Sequence, residues 1–310
     1  MNIEIMIHLM VWRKAMKTKK WRVMIFVIVC IMLAASICQN IWYYCYSGSW
    51  DSYLQDTDEI YVMESGILKQ NENYKAGEDI KIEYDFSNAE YRQLIDKYGI
   101  DKTAGEGSEL ERALRLMDEY SPRLKHMCNY DNHIEINAMS LLEYSLDNNE
   151  HGINCRCKAQ ILNEMCMALG IYSRKVWIMP YSEYDTDCHV VNEVWDSSLN
   201  KWVMLDITNN QYWVDENGTP LSITEIREKG ANQEFCTPIQ PGDTLTDVKA
   251  LKQKYIAEYL YIMKNMVYIC CCENQTVGEV DSRCCLYPEG SEQSKMLEIS
   301  YEEYNRSPIQ

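Results

Sequence analysis

Residues 23–38, VMIFVIVCIMLAASIC, run for sixteen positions without a charge. A bilayer-spanning helix needs about 20 apolar residues. The run approaches that length once Trp21 before it and Ile41, Trp42, Tyr43 and Tyr44 after it count as interfacial anchors. Residues 1–22 carry six basic side chains against the single acid Glu4. That local charge of +5 sits on a 310-residue chain of net charge −17, so the remainder carries −22. Lys and Arg retained on the cytoplasmic side orient such a helix. The pattern predicts a basic cytoplasmic stub at 1–20, an uncleaved transmembrane signal anchor at 21–44, and a single-pass protein of the cell membrane with an extracellular body. A cleaved signal peptide is the nearest alternative and would make the body secreted. Met16 could then be the start, with MKTKKWR as a compact basic region, but no clean A-x-A site follows Ala34 and Ala35.

The acidic body argues against a nucleic-acid partner, because phosphate binding calls for a basic face. Of fourteen cysteines, twelve fall outside the apolar run. Their spacing is not that of a disulfide scaffold. Cys270–Cys272 and Cys284–Cys285 read as strand residues used as small apolar side chains.

Periodicity divides the body further. Asp79–Phe86 alternates and predicts a strand. Residues 88–98 read as a helix and 103–107 as a glycine-containing loop. Ser108 with Glu111 forms a capping box ahead of a helix whose apolar face is Leu110, Leu114 and Met117, interrupted near Pro122. Residues 137–147 predict another helix. NCRCKAQILNEMCMALG, from Asn154 to Gly170, has a capping Asn, a 3.6-residue apolar period and a terminating Gly, so Cys155 opens a buried helix. Strands are expected at 174–180, 189–195 and 202–206, a helix at 246–264, and strands near 266–272, 283–287 and 296–301.

A cysteine at a helix N-terminus sits against roughly half a positive charge, which favours its thiolate. A hairpin centred on Ser198–Leu199 would set Trp195 opposite Trp202 and Asp206 opposite Val191, leaving His189 and Asp206 diagonal and within side-chain reach. A carboxylate so placed orients an imidazole, which exchanges a proton with a thiol. Cys155, His189 and Asp206 are therefore the candidate catalytic residues.

The block G-x-N-C-R-x-x-A followed by A-L-G-I-x-S-R (Gly152–Arg174), with H-V-x-x-E-V-W and W-x-x-L-D-x-T (His189–Thr208), resembles the core of the transglutaminase-like superfamily. The resemblance covers about 100–230 and is strongest over 152–208. It implies an α+β, papain-like core with the nucleophile helix packed on an antiparallel sheet. It assigns the nucleophile to Cys155, the base to His189 and the orienting acid to Asp206. Cys157–Lys158 stands where such cores often carry a bulky pair, and the four-residue step to Ala159 selects Cys155 over Cys157. The implied organisation is an N-terminal elaboration at 45–99, a catalytic core at 100–235, and a C-terminal helix and strands at 236–310 completing the domain. The implied chemistry is acyl transfer or hydrolysis at a peptide or glutamine amide of a protein or peptide substrate. A non-catalytic binding or scaffold module on the same fold is the alternative.

No cofactor or metal is implied. Cys155, Cys157, Cys188 and His189 offer zinc-type donors, but C-x-C with an adjacent C-H is atypical of zinc sites. Asp185-x-Asp187 is too short for a calcium loop. His126, His133 and His151 read as structural, Glu193 as a paired or solvated carboxylate, and Trp195 and Trp202 as hairpin packing.

Overall fold

The computed structural model describes residues 19–21, 23–42, 58–182, 184–291 and 296–309. The chain divides into two compact units, Met1–Thr57 and Asp58–Gln310. In the first unit, α1 (Lys19–Trp42) is 24 residues long, with a mean hydropathy of 2.4 over its apolar stretch. It is long and apolar enough to cross a membrane, a property it shares with signal sequences. Most of the expected basic stub, the last two residues of the expected span, and residues 45–57 lie outside the described residues.

The second unit begins with α2 (Asp58–Gln70), β1 (Glu83–Tyr84), α3 (Glu90–Tyr98), α4 (Ile100–Ala104), α5 (Glu109–Tyr120), α6 (Ala138–Asp147) and α7 (Cys155–Ala168). A strand-rich stretch follows: β2 (Ser173–Met179), β3 (His189–Asp196), β4 (Lys201–Asp206), β5 (Gln211–Val214), α8 (Ile223–Ala231) and β6 (Thr237–Ile239). The unit closes with α9 (Val248–Lys254), α10 (Ile256–Lys264), β7 (Tyr268–Cys272), β8 (Asn274–Gln275), β9 (Arg283–Leu286), β10 (Leu297–Glu298) and α11 (Tyr301–Asn305). The main sheet runs β10-β9-β7-β2-β3-β4-β5-β6 and is antiparallel except at the β10–β9 edge. This is a mixed helix-and-sheet fold with an antiparallel-dominated sheet.

Every residue of β3 is buried. Along β4 the faces separate: Val203 and Leu205 pack with α3–α7, whereas Met204 joins the cluster with α8 and α10. A sheet covered on both faces needs apolar residues at consecutive positions, which accounts for VWIM, HVV and WVML. The Ser108–Glu111 capping box forms as its spacing predicts, with Glu111 N–H donating to Ser108 Oγ at 3.2 Å.

Several boundaries differ from the sequence expectation. Of Asp79–Phe86, only Glu83–Tyr84 enters a ladder, parallel to β8. Ile80 and Ile82 pack on the core without a strand partner, so their alternation records burial rather than pairing. The expected loop at 103–107 begins inside α4, after Gly99 turns the chain at φ +62°. The expected helix 246–264 breaks at Tyr255 into α9 and α10. The expected strand 296–301 stops at Glu298, because Ser300 caps α11 by accepting from Glu303 N–H at 3.2 Å. The cysteine-rich strands β7 and β9 pair as buried neighbours, but Cys270 and Cys285, directly opposite, are joined by a disulfide. That corrects their reading as apolar fillers. Cys271 and Cys284, the next pair, keep their sulfurs 3.7 Å apart.

Candidate active site

The N-terminus of α7 positions Cys155. Asn154 caps the helix, its Oδ1 accepting from Cys157 N–H at 3.1 Å. From Cys157 to Met167 every side chain is buried, so sheet and helices grip the body of α7 from all sides. Two polar contacts set its height. Asn192 of β3 donates to Ala159 O at 2.9 Å, and buried Glu164 accepts from Ala138 N–H at the head of α6 at 3.0 Å. Cys155, half-buried, is left at the rim.

The β3–β4 register supplies the other two residues. Trp195 faces Trp202, and the ladder runs to Asn192–Leu205, one step short of Val191 and Asp206. His189 Nε2 lies 2.8 Å from Asp206 Oδ2. Cys155 lies close enough to the imidazole for its thiol to act on it electrostatically. The structure thus brings Cys155, His189 and Asp206 into one neighbourhood, with a direct contact between His189 and Asp206. Asp206 is held in turn by Thr208 N–H at 2.9 Å and Asn209 Nδ2 at 2.9 Å.

Burial alone would drive the proton off His189. The Asp206 charge, the hydrogen bond to it, and the bond and charge of Cys155 outweigh burial and push the imidazole up to about 10. Asp206 shows the converse: burial favours its acid form, but His189 and the donors around it hold the carboxyl below its usual range. The pair therefore sits as imidazolium and carboxylate at neutral pH, poised beside a thiol.

Cys157 behaves differently. It is fully buried in the helical core, near Asn132 Oδ1 at 3.6 Å, and burial pushes its thiol up to about 11. This also separates it from the other donors weighed for zinc. Among the described residues no group of three or more His, Cys, Asp and Glu side chains is arranged to hold a metal ion. Glu193 is a paired carboxylate, fully buried on Arg174, and Trp195 and Trp202 pack edge to face in the interior.

Three neighbours escaped the sequence reading. Lys158, one helical turn below Cys155, is almost wholly buried, and burial lowers it to about 8 against the pull of Asp206 and Cys155. His126 senses Lys158, His189 and Asp206, and burial holds it below its usual value. It arrives through a bridge to Ile153, a loop-to-loop pairing that no local pattern signals. Tyr261 of α10 sets its ring edge-on to His189 at 5.5 Å. An i, i+3 relation to Cys155 was the one available signal, and it concerned Lys158 alone.

The profile of the transglutaminase-like superfamily matches residues 96–207, a range that contains Cys155, His189 and Asp206. No curated protein matches the chain. A solved structure from Cytophaga hutchinsonii, described as a candidate cysteine protease, is similar at 16% identity and a TM-score of 0.29. The match covers 48% of this chain and 47% of that one, so the chain spans about half that structure's length.

Proposed function

Residues 96–207 being a transglutaminase-like domain, we propose that the chain is a membrane-anchored thiol enzyme acting on amide bonds of peptides or of glutamine side chains. The reading is carried by one observation: His189 Nε2 lies 2.8 Å from Asp206 Oδ2, in electrostatic reach of Cys155 at the N-terminus of α7. In this mechanism the Cys155 thiolate attacks the amide carbonyl carbon, forming a C–S bond. His189 gives its proton to the departing amine as the C–N bond breaks. Water or a second amine then attacks the thioester, giving up a proton to His189 and returning the thiolate. Asp206 keeps the imidazole oriented and compensates its charge. The backbone N–H of Cys155 is the donor this mechanism assigns to the oxyanion.

The test is direct. The full chain in mild detergent is incubated with a glutamine-rich protein and a labelled primary amine. Incorporation identifies transamidation, ammonia release without label identifies deamidation, and new fragments identify proteolysis. Cys155→Ala should abolish whichever is found. Its persistence in that variant, or Cys155 alkylating no faster than the other thiols, would defeat the reading.

A further inference from the structure

Beside the nucleophile lies a cationic cluster that the reaction above does not use. Arg156 follows Cys155 in the chain, and its Nε donates to Glu279 at 2.8 Å. Lys175 reaches the same carboxylate at 2.6 Å. Arg283 opens β9 opposite Cys272 of β7, and its guanidinium stacks on Trp177 at 4.1 Å, with Lys175 over the same indole at 4.8 Å. Glu279 is therefore committed to two cations. Arg283 forms no hydrogen bond or ion pair with any described side chain, and its buried Nε has no partner.

This arrangement is unfavourable on its own. Burial first, and the charge of Arg283 second, hold the Arg156 guanidinium below its ordinary value, despite its ion pair with Glu279 and smaller attractions from Cys157, Asp281 and Cys272. Burial, followed by the repulsion of Arg156 and Arg283 among other charges, brings Lys175 down to about 7. The cluster also neighbours the site through the sheet: Trp177, on which Arg283 stacks, pairs with Val190, the residue after His189. The thiol of Cys188, next to His189, senses Cys155, Arg283 and Arg156 together, beneath the larger effect of burial. On a chain of net charge −17, an unpaired guanidinium among like charges at this place calls for an anion from outside.

We propose that Arg283, backed by Arg156 and Trp177, forms a substrate subsite that takes a carboxylate close to the amide being attacked. A guanidinium fork fits a carboxylate with two parallel N–H···O bonds, and a ring behind it fixes the plane. The proposal rests on Cys155 being the nucleophile. It narrows the substrate class to peptides with a carboxylate near the reacting amide, either a terminal carboxylate or an Asp or Glu side chain.

Iodoacetate and iodoacetamide differ in that the first carries a carboxylate. The rates at which each alkylates Cys155 in the full chain are measured by mass spectrometry, with the urea-denatured chain as reference. The iodoacetate-to-iodoacetamide ratio at Cys155 should exceed that of the denatured chain by about fivefold or more, a modest attraction for a unit charge at a protein surface. Arg283→Gln should remove most of that excess, Arg283→Lys should restore part, and added salt should shrink it. Because a ratio is read, a variant that merely perturbs the fold changes both rates. Protection by acetyl-Gln-Gly with a free carboxylate over its amide would assign a terminal carboxylate. Protection by acetyl-Gln-Glu amide over acetyl-Gln-Gln amide would assign a side chain. Fast alkylation by iodoacetamide with a ratio that Arg283→Gln leaves unchanged overturns the subsite alone. Slow alkylation by both reagents overturns the nucleophile and the subsite with it.

Discussion

His189 and Asp206 draw stability from the same contact in opposite pH directions. The folded value of His189, about 10, lies above the ordinary histidine value of about 6.5. Its contribution is complete below the ordinary value and is lost as pH rises through about 10. Asp206 is held low, so its contribution is present above the usual carboxylate range and fades as pH falls through its depressed folded value. The stability gap between the native chain and His189→Gln should therefore be widest between the usual carboxylate range and about pH 6.5, and narrow as pH rises toward 10. Urea denaturation midpoints across that range check this, and a gap that stays constant would contradict it. The closeness of His189 to Asp206 was legible in the sequence, because strand alternation and a short turn centred on Ser198–Leu199 leave one register and one diagonal. Tyr261 and His126 were not, since each reaches His189 or its neighbourhood from a segment with no local signal.

At the scale of an element, α7 decides where the thiol stands. Its N-cap is a single side chain, Asn154, bonded to Cys157 N–H. Asn154→Ala should cost about 1 kcal/mol of stability, as loss of a helix N-cap does, while Asn154→Ser should cost little. The same Ala variant should slow alkylation of Cys155 by iodoacetamide, because fraying of the first turn shifts the sulfur away from His189. Parallel denaturation and labelling measurements test both. The period and caps of α7 were readable because a long buried helix repeats its signal over several turns. The break between α9 and α10 and the shortness of β1 were not, because an apolar position looks the same in a strand, a bend or a packed loop.

Across the whole molecule, one buried ion pair ties the end of the fold to its centre. Arg174 of β2 lies between the rings of Trp202 and Tyr304, at 4.1 and 3.9 Å, and donates to Glu193 through Nε at 3.0 Å and Nη2 at 2.6 Å. Glu193 also accepts from Tyr304 Oη at 2.8 Å and from Ile223 N–H, at the head of α8, at 2.9 Å. Glu193→Gln should destabilise by about 3 kcal/mol or more, because it strands a buried guanidinium. Tyr304→Phe should cost about 1 kcal/mol, the value of one hydrogen bond to a paired acceptor. Chemical denaturation of the two variants should reproduce that order. The anchor belongs to this scale as well. The full chain should stay with membranes through alkaline carbonate extraction, and deletion of residues 1–44 should release it. Release of the intact chain would defeat the anchor.

The sequence by itself determined the elements whose signal is local and repeated: the apolar run, the capped helix α7, and the hairpin that brings His189 to Asp206. These follow from backbone periodicity and turn geometry, which act over a few residues. Tertiary structure decided how the two nearby cysteines are buried, with Cys157 wholly inside the helical core and Cys155 half-buried at the rim. It also decided the bonding of Cys270 to Cys285 and the meeting of Arg156, Lys175 and Arg283 around Glu279 and Trp177. Those contacts join segments about a hundred residues apart for the cation cluster, and they depend on strand order in the sheet. A linear pattern carries no information about strand order until the chain has folded.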